Sequence, residues 1–296
     1  MRLVSFRRDG TVSFGCLEDG IVRDFGPYVA PGTVLRDCLP VGLPLLGALR
    51  DAVRDHDMIP LHADMLLAPI PAPRKFLALG GNYASHVSEA EKAGYRRPPA
   101  QVWFNKQVSC VNAPYGTIAR PFVSDQLDYE GELGVVIARN CRHVRAEDAW
   151  SVVAGYVVCN DVSVRDWQLR SPTHMIGKSF DTHGPFGPWI VTPDEIPDPH
   201  ALTLRTLVNG EVRQQASTGE MIHRIPSLIA ELTTAFTLEA GDILSTGTPA
   251  GVGGLCDPPR YLVPDDVVRV EIDGIGFIEN RVVEEPLPPH CLESVA

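Results

Sequence analysis

Residues 128–138 read DYEGELGVVIA. Val135, Val136 and Ile137 make the second half apolar on both faces, which predicts a strand running into a core. In the first half, Glu130 and Glu132 stand two apart with Gly131 between them. On a strand such residues point to one side, with carboxylates about 7 Å apart along the chain before their side chains converge. Two carboxylates carried into a core repel each other and resist burial, and a divalent cation relieves both costs. By spacing alone, the pair reads first as the wet face of an edge strand.

Downstream, Asp161 closes a second apolar strand, GYVVCND (155–161). Three carboxylates with no Cys or His beside them suit Mg²⁺, Mn²⁺ or Ca²⁺ better than Zn²⁺. Other strand-like runs are VWFNK (102–106) and PWIVT (188–192). Asn209-Gly210 and Asp273-Gly274 mark two hairpins. The clearest helix is PSLIAELTTAF (226–236), with Leu228, Leu232, Ala235 and Phe236 on one stripe. Strands outnumber helices and hairpins recur, so a mainly antiparallel β-rich core with α elements (α+β) is expected, not a doubly wound sheet.

Upstream, residues 2–25 alternate apolar and polar around Asp-Gly breaks, as short antiparallel strands do. Leu35, Leu39, Leu43, Leu46 and Leu49 recur at helical spacing, interrupted by Pro40 and Pro44. LLAPIPAPRK then forms a proline-stiffened connector. The expectation is a small α+β N-terminal domain over residues 1–68 and a larger catalytic domain over 69–296.

At 44% hydrophobic over 296 residues, the chain can bury a sizeable core. With 26 basic against 37 acidic residues the net charge is −11, and no basic block offsets it. That disfavours nucleic acid and anionic lipid as partners, while a small anionic substrate remains compatible through a bound cation. Seven scattered cysteines without a CxxC pair read as reduced thiols. MRLVSFRRDG lacks the apolar stretch of a signal peptide, and no run approaches membrane-spanning length, so a cytoplasmic location is expected.

His86 and Glu89, in GGNYASHVSEA (80–90), are i and i+3, and so face one way on a helical turn. A Glu beside a His fixes its tautomer and raises its basicity. Seen alone, the pair reads first as a solvated surface pair, Lys178 as a surface lysine, and Arg165 as a structural partner of Asp166 or Asp161. The Gly-rich stretch GDILSTGTPAGVGG (241–254) lacks GK[ST] and is no nucleotide loop. His143, His174, His183, His200 and His223 carry no assignment, though His183 follows the KSFD run. Arg96, Arg97, Tyr83, Tyr95 and Trp167 are open as substrate contacts or as surface and packing.

Taken in order, DYEGELGVVIA, GYVVCNDVSVRDWQ (155–168), GKSFDTHGPFGPWIV (177–191) and GDILSTGTPAGVG (241–253) resemble the signature blocks of the fumarylacetoacetate hydrolase family. The GGNYASHVSEA stretch resembles its mobile lid. The resemblance covers roughly residues 70–285. It implies the family's mixed β-sandwich roll, assembled as a homodimer. It implies Glu130, Glu132 and Asp161 as ligands of Mg²⁺ or Mn²⁺, with Ca²⁺ also compatible. Arg165, Gln168 and Thr248 would contact substrate, Lys178 would stabilise developing negative charge, and His86 with Glu89 would activate water. The implied activity is hydrolytic cleavage of a C–C bond in an acylpyruvate-like or other 1,3-dicarbonyl or 2-oxo acid substrate, through a metal-stabilised enolate. Relatives on the same scaffold decarboxylate oxaloacetate, or hydrate and isomerise 2-oxo-4-enoates. A non-catalytic metal- or ligand-binding relative is the remaining alternative.

Overall fold

The strand read first is buried along its whole length: all seven residues of Gly131–Ile137 are inside the protein. In the computed structural model, which describes residues 1–96 and 98–286, this strand pairs antiparallel with Val153–Asn160 and with Ile243–Ser245. Around it lies an eleven-stranded mixed sheet. The Ile243–Ser245 strand runs parallel to Phe76–Gly80, which pairs with Val102–Lys106 at the sheet edge.

Alternation along the central strand gives the sheet two different cores. Leu133, Val135 and Ile137 pack with Leu204, Val270 and Ile278 of a second, five-stranded sheet, forming the sandwich. Val136, on the other face, belongs to a cluster with Val157, Ile243, Leu3, Phe14 and Leu46. That second core draws on the N-terminal segment. Strand Arg2–Arg8 pairs with Gly184–Val191, so the first hairpins extend the main sheet. Asp9-Gly10 and Asp19-Gly20 turn these hairpins with positive φ at both residues, the type I′ requirement.

The leucine-rich segment forms helices Leu35–Cys38 and Leu43–Ala52, with Pro40 between them. Pro44 sits in the first turn of the second, where a missing N–H costs nothing. Asn209-Gly210 and Asp273-Gly274 join antiparallel strands as expected. Helix Ile225–Ala235 buries Ile225, Leu228, Ile229 and Leu232. Ala235 is exposed, and Phe236 also departs from the expected stripe. It is the extended C-cap and is 37% exposed, because the chain has left helical geometry before reaching it. All six described cysteines are free. Among the described residues, no helix is long and apolar enough to cross a membrane.

Candidate active site

The antiparallel register assembles the acidic cluster. Gly131 pairs with Asn160, so Glu130 and Asp161 face each other across the strand ends, and the Asp161 amide donates to the Glu130 carbonyl at 2.8 Å. Ligand oxygens of Glu130, Glu132 and Asp161 all lie within 4.8 Å of one another, and all three residues are buried.

Three cations hold this cluster together. Lys178 Nζ donates to Glu130 Oε2 at 2.7 Å and to Asp161 Oδ2 at 2.8 Å. Lys106 Nζ donates to Asp161 Oδ1 at 2.6 Å and to the Lys178 carbonyl. Arg165 donates from Nη1 to Glu130 Oε1 at 2.6 Å and from Nε to Asp128 Oδ2 at 2.8 Å. Arg165 therefore pairs with neither Asp166 nor Asp161. Burial disfavours charge on Glu130, but Lys178 and Arg165 override it and hold the carboxyl well below its usual range. Among the described residues, Glu132 has no ion pair with a cation. Burial, then repulsion from Asp161 and Glu130, pushes it well above its usual range. A buried carboxylate left under that repulsion is what a divalent cation relieves, so the donor set fits a hard divalent ion.

The Gly-rich segment is a carboxylate cradle. Its backbone amides donate to three acidic side chains: Gly247 to Glu132 at 2.8 Å, Gly251 to Glu89 at 3.1 Å, and Gly253 and Gly254 to Asp128 at 2.8 Å each. Gly247 and Gly251 have φ of +100° and +102°, a backbone that residues with a Cβ rarely adopt. Thr248 donates its hydroxyl to the Gly131 carbonyl at 2.9 Å and accepts from Gln214 at 2.8 Å, tying the turn to the acidic strand.

Above the cluster lies a cavity of about 330 Å³. Glu130, Arg165, Lys178 and Thr248 line it, with His86, Val87 and Ala90 on the wall formed by helix Ala84–Lys92. His86 Nδ1 faces Glu89 Oε2 at 3.3 Å, and Glu89 is itself fixed by Gly251. Gln168 accepts from Arg165 Nη1 at 2.9 Å through Oε1, and its amide hydrogens have no partner among the described residues. The structure thus gathers eight of the nine singled-out side chains at or directly beneath one cavity, and Glu89 stands behind His86.

Several open readings resolve. Tyr95 lines the cavity. Tyr83 is fully buried in the sandwich core, and Trp167 packs against Phe180 under the Arg170 guanidinium. Arg96 is exposed, and Arg97 lies outside the described residues. His183 is fully buried away from the cavity, donating Nε2–H to the Ala119 carbonyl at 2.8 Å. Sequence reasoning missed Lys106 and Asp128. Both had a signal: Lys106 shares the inward face of its strand with Phe104, and Asp128 is the third acidic residue at the two-residue period of Glu130 and Glu132.

The fumarylacetoacetate hydrolase C-terminal model matches residues 75–283. The chain belongs to the fumarylacetoacetate hydrolase family. Among family members it is similar to the human mitochondrial oxaloacetate tautomerase, 40% identical with 96% of this chain and 92% of that one covered. It is also similar to the solved fumarylacetoacetate hydrolase of Exiguobacterium antarcticum (TM-score 0.82, 37% identity, 96% of this chain and all of that one). A third is the maleylpyruvate hydrolase of a Sphingobium species, solved with manganese(II) and pyruvate (TM-score 0.80, 30% identity, 97% of this chain and all of that one). The mainly β architecture with few helices is the fold of this family.

Proposed function

We propose that this family member moves a proton on the carbon beside the oxo group of a small 2-oxo acid, with keto–enol tautomerisation of oxaloacetate as the reaction. Glu130, Glu132 and Asp161 would hold Mg²⁺ or Mn²⁺. When bound, that ion acts as a Lewis acid, polarising the substrate's oxo and carboxylate oxygens.

The observation that carries the reading is the state of His86. Its Nδ1 faces Glu89 Oε2, and in the tautomer that donates Nδ1–H to that carboxylate, Nε2 is the basic nitrogen. Among the described residues, Nε2 has no partner in the protein, and His86 lines the cavity. Glu130, Arg165 and Lys178 are all engaged in ion pairs. Of the two imidazoles lining the cavity, His86 and His174, only His86 is backed by a carboxylate among the described residues, which makes it the base. Its Nε2 takes the proton from carbon, the C–H pair becomes the C=C bond, and the carbonyl pair moves onto oxygen. The resulting imidazolium returns the proton to that oxygen, giving the enol. Lys178 has three N–H donors, two of them on Glu130 and Asp161, and the third serves the developing oxyanion. Such a donor stabilises a transition state by about 3 kcal/mol. Similarity to mitochondrial oxaloacetate tautomerases over nearly the whole chain supports the choice of reaction.

A second reading is C–C hydrolysis of an acylpyruvate, in which the same His86 activates water. Similarity to the maleylpyruvate hydrolase favours it. One experiment separates the two. The enol absorbance of oxaloacetate and the release of pyruvate are followed with Mg²⁺, Mn²⁺ or EDTA, beside acetylpyruvate as an alternative substrate. Metal-dependent acceleration of keto–enol equilibration without pyruvate supports tautomerisation. His86→Ala should lower its rate by about 10²–10⁴-fold, and Glu132→Ala should abolish the metal dependence. Pyruvate from acetylpyruvate, with oxaloacetate equilibrating at its spontaneous rate, would replace the first reading by the second.

A further inference from the structure

Four residues lining the cavity can carry positive charge: His86, Arg165, Lys178 and His174. Three of them face a carboxylate of the protein: His86 faces Glu89, Arg165 faces Asp128 and Glu130, and Lys178 faces Glu130 and Asp161. His174 has no acidic partner among the described residues, and no role in the family resemblance or in the proton transfer above.

Its ring is nevertheless held in place. Nδ1 donates to the Gln168 carbonyl at 3.3 Å, and the ring meets Phe104 edge to face at 6.2 Å. Phe104 also packs against Lys178, whose Nζ stands 5.2 Å from the centre of that ring. Gln168 in turn takes Arg165 on its side chain. His174 is therefore held by Phe104 and Gln168, which themselves contact Lys178 and Arg165. Its backbone is left-handed, with φ +58°, a conformation that non-glycine residues adopt at a cost and that concentrates at functional sites. With Nδ1 tied back to the chain, Nε2 is the nitrogen left for a ligand.

We propose that His174 is the specificity-determining residue for a second carboxylate, so that the cavity selects dicarboxylic over monocarboxylic 2-oxo acids. This rests on the 2-oxo acid reading of the site. The acid head would lie at the Glu130–Arg165–Lys178 floor, and the distal carboxylate would accept from Nε2–H of His174 as the imidazolium, the form in which both ring nitrogens donate.

The test is calorimetric titration of 2-oxoglutarate and 2-oxopentanoate, acids that differ in the distal carboxylate, onto the Mg²⁺-loaded full chain. The wild type should bind the diacid at least about tenfold more tightly. His174→Phe should erase that difference while leaving affinity for the monoacid and for Mg²⁺ unchanged, and His174→Gln, which keeps a donor, should retain part of it. A preference that survives in His174→Phe, or none in the wild type, would overturn the proposal while leaving the 2-oxo acid reading standing. Absence of binding by either acid, together with unaltered oxaloacetate equilibration, would remove that reading and this proposal with it.

Discussion

Lys106 is fully buried, and its ammonium is the sole partner of Asp161 Oδ1 among the described side chains. Burial alone would favour the neutral amine, but the Asp161 carboxylate beside it more than offsets this and holds Lys106 protonated above its ordinary range. Lys106→Met keeps much of the stem and removes the charge. Asp161 then faces Glu130 and Glu132 with one cation fewer, and the Lys178 carbonyl loses its donor. Breaking a buried pair in this way costs about 3–5 kcal/mol. At about 2–4 °C per kcal/mol for a large domain, the metal-free variant should melt about 10 °C below the wild type. Thermal unfolding in EDTA measures this. A repeat at saturating Mg²⁺ should show a smaller deficit, because a divalent ion among the same carboxylates supplies compensating charge. A metal-free Lys106→Met melting within about 2 °C of the wild type would refute the reasoning, since the pair would then contribute nothing net.

Two further outcomes follow from other buried groups. His183 is held neutral in the folded protein, its value lowered from 6.5 to about 3 by burial. Its contribution is therefore complete above pH 6.5 and is lost as pH falls toward 3, by up to about 1.4 kcal/mol per pH unit. His183→Gln keeps an N–H donor for Ala119 and should flatten that slope in urea titrations across this window; an identical slope in the variant would assign acid lability elsewhere. Asp128 anchors both Arg165 and the Gly253–Gly254 amides. Asp128→Asn should raise KM for the 2-oxo acid by about tenfold and accelerate hydrogen exchange at those two amides, and unchanged exchange would show that the cradle does not depend on the carboxylate.

Much of this protein is legible without coordinates. The buried central strand follows from DYEGELGVVIA, because an unbroken apolar run leaves no face for water. The hairpins follow from Asn-Gly and Asp-Gly, because these residues accept the positive φ that such turns require. The carboxylate pair was visible as a two-residue period, but spacing alone favoured an exposed face. Only the register of Gly131 against Asn160 brought Asp161 beside Glu130, and only burial turned two ordinary glutamates into a charge problem that a cation solves. Lys106 lies 55 residues from Asp161, and Gly253 lies 125 from Asp128. Such pairs are decided by which strand ends meet in the sheet, and no local pattern encodes that. The Gly-rich stretch shows the same division. Its composition excluded regular structure and a nucleotide loop, whereas its use as a row of amides holding Glu89, Glu132 and Asp128 appears only when three distant carboxylates are folded against it.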